Sequence, residues 1–382
     1  MRIALDAHTL GSQVGGNETY IKNLIRGFAA IDRKNEYFLY LPPGAHPNGF
    51  LKSLPESFSV RTLWPASPWI RIPFSTPFRL AQDKIDLLLL QYAAPPVCPA
   101  PYVLTIHDIS WEYYPDYFKP VERLRLKEIT PFSARKAAHV ITCSEHSKKD
   151  IVNLYKVPEE KVTVTYYGKD PAFRKIHDPS LLAGIKSRYG ITGPFILYVG
   201  NIQPRKNLVR LIEAFSHLKK EAKLPHKLVI VGKKAWLFSD VFDSVRQTGI
   251  ESEILFTGYV PDEELPLLYN AADLFVYPSI FEGFGLPVLE ALACGTPVIT
   301  SNTSSLAELA GEAAVLIDPL SIQELTDAMI RVLRDEKLRL LLAEKGLRRA
   351  SQFTWEKTSR QTLEIFEKVY AQGETCLEGA RP

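Results

Sequence analysis

The chain has 382 residues, of which 46% are hydrophobic and 23% are charged, a composition typical of globular proteins that bury a core. Lys and Arg number 46 against 43 Asp and Glu, so the charge does not favour a nucleic-acid binder, and no nucleic-acid partner is predicted. The composition also excludes collagen-like, disordered and disulfide-rich classes. The four cysteines are scattered along the chain, as is typical of reduced thiols in a cytoplasmic protein: Cys98, Cys143, Cys294 and Cys376.

Short apolar runs alternate with helical patterns from the N-terminus onward. The first run, residues 2–5, is predicted to be a strand and not a signal peptide, because Asp6 interrupts it. No stretch approaches the ~18–20 apolar residues of a membrane span. The alternation predicts an α/β protein whose parallel strands are covered on both faces. The predicted strands are 2–5, 37–41, 87–90, 102–106, 139–142, 195–199, 227–231, 254–256, 274–277, 297–300 and 314–317, and the helices include 18–31, 208–218, 287–293 and 323–334.

An irregular stretch rich in Pro and Gly, residues 168–194, separates two groups of predicted strands. We interpret it as an interdomain connection that contains a short helix. Two Rossmann-like, doubly wound domains would then face each other across a cleft, with ligands outside the carboxyl ends of the strands. The predicted domains are 1–172, completed by the C-terminal helix 356–382, and 173–355.

The sharpest local pattern is a glycine-bearing loop that leads into a helix. Gly283 and Gly285 allow a tight turn, and Pro287 suits the first helical position. The start of such a helix favours anions. If an anionic ligand occupies that position, the nearby carboxylates of Glu282 and Glu290 need a different partner. Sugar hydroxyls, which donate hydrogen bonds, are suitable partners. An ordinary strand-to-helix loop with a glutamate near the helix start is the alternative interpretation.

Residues 281–291, followed by Cys294-Gly295, resemble the donor-site signature of retaining glycosyltransferases of family 4, which have the GT-B fold. Other segments match in the same order along the chain: His107-Asp108, Val199-Gly200, Pro204-Arg205-Lys206-Asn207, Phe256-Thr257-Gly258, Ala271-Ala272-Asp273 and Phe353-Thr354-Trp355-Glu356. Residues 107–112 and 311–314 resemble the bacterial branch that builds O-antigens and exopolysaccharides, often with mannose.

The resemblance implies roles for individual residues. Arg205 and Lys206 would neutralise the diphosphate leaving group, Glu282 would bind the sugar hydroxyls, and His107 would lie beside the donor sugar. Many relatives carry Arg where this chain has Asn201, so Arg205 would supply that charge. The predicted donor-binding residues are Gly15, Gly16, Gly200, Asn201, Tyr259, Val260, Gly283, Phe284, Gly285, Leu286 and Glu290, of which Glu290 would bind the ribose.

Neither an Asp-x-Asp motif nor a cluster of His, Cys and carboxylates with metal-ligand spacing occurs in the sequence. We therefore predict a metal-independent enzyme without a cofactor. The glycine loop at residues 14–19 is not Gly-x-Gly-x-x-Gly, which argues against a dinucleotide dehydrogenase.

Residues 64–79 form an aromatic segment that contains too many prolines for a predicted regular helix. Its aromatic and basic side chains suit a membrane interface or a lipid-linked acceptor, although an internally packed loop is the alternative: Trp64, Trp69, Arg71, Phe74, Phe78 and Arg79. The predicted location is cytoplasmic, with peripheral contact at the inner face of the membrane.

The resulting hypothesis is a retaining glycosyltransferase that moves a hexose from a nucleotide diphosphate sugar to a saccharide or lipid-linked saccharide, in cell-surface polysaccharide synthesis. GDP-mannose is favoured over a UDP-sugar by analogy with the bacterial branch. The alternatives are a UDP-sugar-dependent enzyme of the same fold, a GT-B epimerase, and a non-catalytic subunit that binds a nucleotide sugar.

Overall fold

The structure is a computed structural model that describes residues 1–12, 15–45, 49–233 and 239–378, with side chains described as far as residue 373. Two compact units are present, residues 1–168 with 354–382, and residues 169–353. Val14 of the first glycine loop, and residues 379–382 of the predicted C-terminal helix, lie outside the described residues. Within the described ranges, no helix combines the length and the apolar character that crossing a membrane requires.

The first unit contains a parallel sheet of seven strands in the described part of the chain, in the order β3-β2-β1-β4-β5-β6-β7. The chain runs outward from β1 to β3 and then returns to place β4 beside β1, so the order reverses between β1 and β4. Ligands of open α/β sheets bind at such a switch point. The strands are β1 (Arg2–Asp6), β2 (Glu36–Leu41), β3 (Phe58–Thr62), β4 (Leu87–Gln91), β5 (Tyr102–Thr105), β6 (His139–Thr142) and β7 (Val162–Val164).

Helices cover this sheet, whose central strands are almost wholly buried. The helices that lie before the second unit are α1 (Gly15–Ile31), α2 (Pro68–Ile70), α3 (Thr76–Gln82), α4 (Ser110–Tyr113), α5 (Pro120–Lys136) and α6 (Glu145–Tyr155).

The aromatic segment is helical over most of its length, which corrects the prediction that its prolines exclude a helix. A π-helical turn over Arg71–Ser75 joins α2 to α3. Pro68 and Pro77 lie in the first turns of α2 and α3, where a missing N–H costs nothing. The N–H of Thr76 bonds to the carbonyl of Arg71, and its hydroxyl donates to the same oxygen at 3.0 Å. The wider turn therefore accommodates Pro73.

The second unit contains a parallel sheet of six strands among the residues described, in the order β10-β9-β8-β11-β12-β13. Its switch point lies between β8 and β11. The strands are β8 (Phe195–Val199), β9 (Lys227–Val231), β10 (Ile254–Gly258), β11 (Leu274–Tyr277), β12 (Val298–Ser301) and β13 (Val315–Ile317). The helices are α7 (Pro179–Arg188), α8 (Leu208–Ala222), α9 (Ser239–Thr248), α10 (Leu265–Ala271), α11 (Leu286–Ala293), α12 (Ser304–Ala310), α13 (Ile322–Arg334) and α14 (Glu336–Ala350).

The short helix predicted within residues 168–194 is α7. Asp178 caps it, because a carboxylate oxygen of Asp178 accepts from the backbone N–H of Ser180 at 2.9 Å. The predicted domain boundary after residue 172 differs from the division after residue 168.

The last helix, α15 (Trp355–Glu378), packs on α1 within the first unit. Phe366 is fully buried, and its ring centroid lies 5.7 Å from that of Phe28. A Cβ on Gly27 would lie 1.9 Å from Oγ of Ser359, so glycine is needed for this close approach. The chain therefore returns to the first unit to complete its core.

Candidate active site

A cluster of charged side chains lies at the switch point of the second sheet. Arg205 and Lys206 follow β8, and Glu282 follows β11. These strands are parallel neighbours, with Leu274 opposite Ile196. Because the carboxyl ends of neighbouring parallel strands meet at one edge of the sheet, residues about 75 positions apart in sequence converge there.

Glu282 is the centre of this cluster and is only 7% exposed. One carboxylate oxygen, Oε1, accepts from Lys206 Nζ at 2.6 Å, Ser279 Oγ at 2.5 Å and Tyr277 OH at 3.1 Å. The other oxygen, Oε2, lies 3.0 Å from Nη1 of Arg205. Two cations and two hydroxyl groups thus hold a single carboxylate.

The electrostatics of the cluster keep Glu282 ionised. Burial alone would raise the pKa of its carboxyl. The charges of Arg205 and Lys206, with hydrogen bonds from Lys206 and Ser279, outweigh burial and lower the pKa to about 2. An ionised carboxylate is therefore available at neutral pH beside the two cationic side chains.

The loop that carries Glu282 is fixed on both sides. The N–H of Glu282 donates to Ser304 Oγ at 3.1 Å, and Ser305 Oγ donates to the Glu282 carbonyl at 2.8 Å. Gly285 has φ +105°, and a Cβ there would lie 2.6 Å from a methyl group of Leu306. The glycine that the sequence pattern singled out is therefore required both by its conformation and by the space around it.

Asn207 connects the loop after β8 to the loop after β11 by a hydrogen bond. It has φ 61°, at the end of a 3₁₀ turn over Pro204–Lys206. Its side-chain amide donates to the carbonyls of Pro278 at 3.0 Å and Pro319 at 2.6 Å. The sequence motif that contains Asn207 does not indicate a role for it, whereas in the structure its hydrogen bonds position the turn that carries Arg205 and Lys206.

Tyr277 and Ser279 also belong to this cluster, although neither was predicted from the sequence. Tyr277 ends an apolar strand and gave only the signal of a core aromatic, and Ser279 belongs to the turn that follows. Both hydroxyls bond to Glu282, and the Tyr277 hydroxyl also accepts from Lys206 Nζ at 2.7 Å. A hydroxyl three residues before a loop glutamate was the available clue.

Glu290 lies in α11 and bonds to a different partner. The hydroxyl of Tyr269 donates to its Oε2 at 2.9 Å. Burial raises the pKa of Glu290 to about 8 and outweighs the lowering effect of the Tyr269 hydrogen bond, while Asp262 and Asp170 add smaller increases. Glu282 and Glu290 therefore differ in protonation at neutral pH, although the sequence assigned both to hydroxyl binding.

The remaining predicted residues of the second unit follow β8, β10 and β11. Asn201 and Tyr259 are exposed, and Nζ of Lys233 lies 4.5 Å from the centre of the Tyr259 ring, a cation–π contact. Val260 is buried. Phe284 packs edge-on against Phe353 at 5.8 Å, so its side chain belongs to the core.

Gly200 comes close to the backbone that follows β9. A Cβ on Gly232, which has φ +153°, would lie 2.0 Å from the carbonyl oxygen of Gly200. The N–H of Gly200 donates to Val231 at 2.9 Å, and the N–H of Gly232 donates to Gly258 at 2.9 Å. These glycines let the ends of β8, β9 and β10 lie side by side.

His107, Gly15 and Gly16 belong to the first unit. His107 Nε2 lies 2.7 Å from Gln91 Oε1, and Nδ1 is hydrogen-bonded to the hydroxyl of Tyr167. Burial lowers the pKa of His107 to about 3, so the imidazole is neutral. Both ring nitrogens therefore have hydrogen-bond partners within the protein, which fix the orientation of the imidazole. The sequence did not indicate these partners. Gly15 and Gly16 begin α1, with open space where their side chains would be.

No group of three or more His, Cys, Asp or Glu side chains that could hold a metal ion occurs among the residues the structure describes.

Comparisons with known proteins agree with this architecture. Residues 14–173 match the family described as Glycosyltransferase Family 4, and residues 186–349 match Glycosyl transferases group 1. The chain is 34% identical to O-antigen chain mannosyltransferase B of Escherichia coli over 267 residues, which cover 69% of this chain and 70% of that protein. It is 30% identical to the serotype-specific mannosyltransferase WbdA of Escherichia coli over 253 residues, 66% of this chain but 30% of that protein.

Among solved structures, the Anabaena protein HepE in complex with UDP and glucose superposes with a TM-score of 0.75. Its sequence is 21% identical, and the match covers 96% of this chain and 100% of that one. The two sheets and these likenesses define a glycosyltransferase of the GT-B fold. The chain belongs to glycosyltransferase family 4, the glycosyl transferases of group 1.

Proposed function

We propose that this enzyme transfers a hexose, with mannose favoured, from a nucleotide diphosphate sugar to a saccharide or lipid-linked saccharide, with retention at the anomeric carbon. The observation that carries the proposal is the ionised Glu282 between Arg205 and Lys206 at a switch point. Mannose and a role in cell-surface polysaccharide synthesis are supported by the relative named O-antigen chain mannosyltransferase B.

The cluster suits the departure of a diphosphate. The transition state of glycosyl transfer resembles an oxocarbenium ion, and negative charge grows on the leaving group as the glycosidic bond breaks. Arg205 and Lys206 stabilise that charge where it develops. When the diphosphate engages these cations, Glu282 accepts hydrogen bonds from the hydroxyls of the sugar. In a front-face attack the leaving phosphate takes the proton of the acceptor hydroxyl, so the reaction needs no protein nucleophile.

The donor is tested by thermal shift with GDP, UDP, ADP and their sugars, followed by turnover with a saccharide acceptor. We expect GDP and GDP-mannose to stabilise the protein by about 2–3 kcal/mol at a hundredfold excess over Kd. A response to UDP alone would instead favour a UDP-sugar donor, which the HepE complex with UDP supports as the second candidate. Binding without turnover favours a non-catalytic subunit, and a product formed without acceptor favours an epimerase.

Metal independence gives a direct prediction. We expect full transfer activity in excess EDTA, because Arg205 and Lys206 supply the positive charge that a divalent cation provides in other glycosyltransferases. The measurement compares initial rates with EDTA, with added Mg²⁺ and with added Mn²⁺. Loss of activity in EDTA that either metal restores would contradict the prediction.

The raised pKa of Glu290 predicts pH-dependent donor binding. Its carboxyl has a pKa of about 8, and we propose that the ribose hydroxyls bind its ionised form. Affinity for GDP-mannose is then expected to rise by up to about tenfold per pH unit from pH 6 to pH 8 and to level off above. Calorimetric titration measures this slope. Glu290→Gln should flatten it, and an unchanged slope in that variant would assign the dependence to another group.

Membrane contact is part of the same proposal. Trp64, Trp69, Phe74 and Phe78 are between 58% and 72% exposed. Within residues 64–79, the structure corrects the predicted basic contribution, because Arg71 is buried and Nε of Arg79 pairs with Asp83 at 2.8 Å. The aromatic side chains would therefore supply most of the adsorption.

Vesicle sedimentation with anionic lipids tests this contact. We expect the wild type to sediment with the vesicles, and the double variant Trp69→Ser with Phe74→Ser to remain largely in the supernatant. Leu340→Ser, which changes an equally exposed apolar residue of the second unit, is the matched control. Equal sedimentation of all three proteins would show that this segment does not bind lipid.

A further inference from the structure

A pocket of about 430 Å³ lies at the switch point of the first sheet, where β1 and β4 end. Its polar lining includes Asp6, His8, Asn17, Arg71, Gln91 and Arg125. The donor chemistry proposed for the second unit uses none of these side chains.

Arg71 is the unusual member of this lining. It is only 6% exposed, although its guanidinium carries a permanent charge. No residue in the described ranges forms a hydrogen bond with this guanidinium or an ion pair with it within 4.0 Å. A buried guanidinium whose hydrogen bonds are unfilled is unfavourable, and Asp6 of the same lining balances its charge only from beyond ion-pair distance. The fold therefore holds in the pocket a donor group that lacks its partner.

Two other donors lie in the same lining. Arg125, from α5, also has no hydrogen bond or ion pair to its guanidinium from the described residues. Nε2 of Gln91 is buried and has no hydrogen-bond partner in the described part of the chain. The oxygen of the same amide bonds to His107, which fixes the orientation of Gln91. Two guanidinium groups and one amide thus share a single pocket.

Asp6 supplies the acidic group of this lining. Its Oδ2 lies 2.9 Å from Nδ1 of His8. Burial would raise the pKa of Asp6, but His8 and Arg71 lower it, so the carboxylate is charged. Two guanidinium groups against one carboxylate leave a net positive charge in the pocket. That balance favours an anionic ligand. Hydroxyl groups next to the anionic group of the ligand can donate hydrogen bonds to Asp6.

We propose that this pocket binds an acid group, a carboxylate or a phosphate, of the acceptor saccharide, and that Arg71 and Arg125 recognise it. The proposal rests on the proposed transfer function, which needs a site for a second substrate. A guanidinium fork binds carboxylate and phosphate in the same bidentate way, so the two sources share one chemistry. The position agrees, because ligands of open α/β sheets bind at the switch point.

The test measures, by NMR titration of the full chain, the Kd of three probes: methyl glucoside, methyl glucuronide and glucose 6-phosphate. We expect at least one acid probe to bind about tenfold or more tightly than the neutral one. Arg71→Gln and Arg125→Gln should each weaken that probe by about 10–100-fold and leave the neutral probe unchanged. Arg123→Gln, on the same helix but not lining the pocket, is the matched control.

The preferred probe identifies the acid group as carboxylate or phosphate. Arg125 is less buried than Arg71, so its variant keeps the test valid if Arg71→Gln does not fold. Acid probes that bind no better than the neutral one, or that bind equally to both pocket variants, overturn the proposal. Thermal shift with GDP, UDP and ADP on the same proteins separates the two hypotheses. Binding of any of these nucleotides without acid preference refutes only the pocket proposal. Acid preference without binding of any of them upholds the anion site and refutes the transfer function.

Discussion

Glu282→Ala and Lys206→Ala are each expected to lower kcat by about 10²–10³-fold, the loss typical of removing a group that stabilises transition-state charge. The reason is their direct contact at 2.6 Å, which holds a carboxylate and a cation at one switch point. Initial rates with saturating donor measure the effect. Near-wild-type rates for both variants would show that the reaction occurs elsewhere.

A stability change accompanies these substitutions, because each leaves part of a buried ion pair uncompensated, which costs about 3–5 kcal/mol. The double variant Glu282→Gln with Lys206→Met removes both charges of the closest pair and should recover part of the lost Tm. Its activity should stay low. The control is Glu253→Ala, which breaks the ion pair of Lys219 and Glu253 at 2.8 Å elsewhere in the second unit. If activity recovers together with Tm, the effect of the single variants is structural.

Phe366→Ala is expected to destabilise the first unit by about 3–5 kcal/mol, the usual cost of emptying a site that held a buried Phe. Phe366 is fully buried against Phe28, although it lies about 340 residues further along the chain. Thermal unfolding followed by near-UV circular dichroism measures the change.

Glu367→Ala, at the adjacent exposed position, should leave Tm within about 1 °C and is the matched control. The deletion of all residues after Phe353 should give insoluble protein for the same reason, since it exposes the face of α1 that α15 covers. A soluble, active truncation or an unchanged Tm for Phe366→Ala would contradict this account of the helix.

The sequence predicted the buried strands well, because they are short runs of Val, Ile and Leu with few polar interruptions. The predicted bounds of 139–142, 195–199, 227–231 and 274–277 coincide with β6, β8, β9 and β11. It missed β3 and β7, which lie at the two edges of the first sheet. Edge strands cover less apolar surface, and β3, Phe58–Thr62, mixes polar and apolar residues. Its stability comes from pairing with β2, which no local pattern reveals.

The sequence by itself determined the alternation of strands and helices, the need for Gly285 in the Glu282 loop, and the family. These depend on residue type and local order. Only the tertiary structure decided that Tyr277 and Ser279 bond to Glu282 and that Arg71 lies buried in a pocket instead of on the aromatic surface. The order of the strands brings distant loops to one edge of each sheet. The packing around each buried charged side chain then determines whether it forms an ion pair. Both are properties of long-range packing that no stretch of sequence contains.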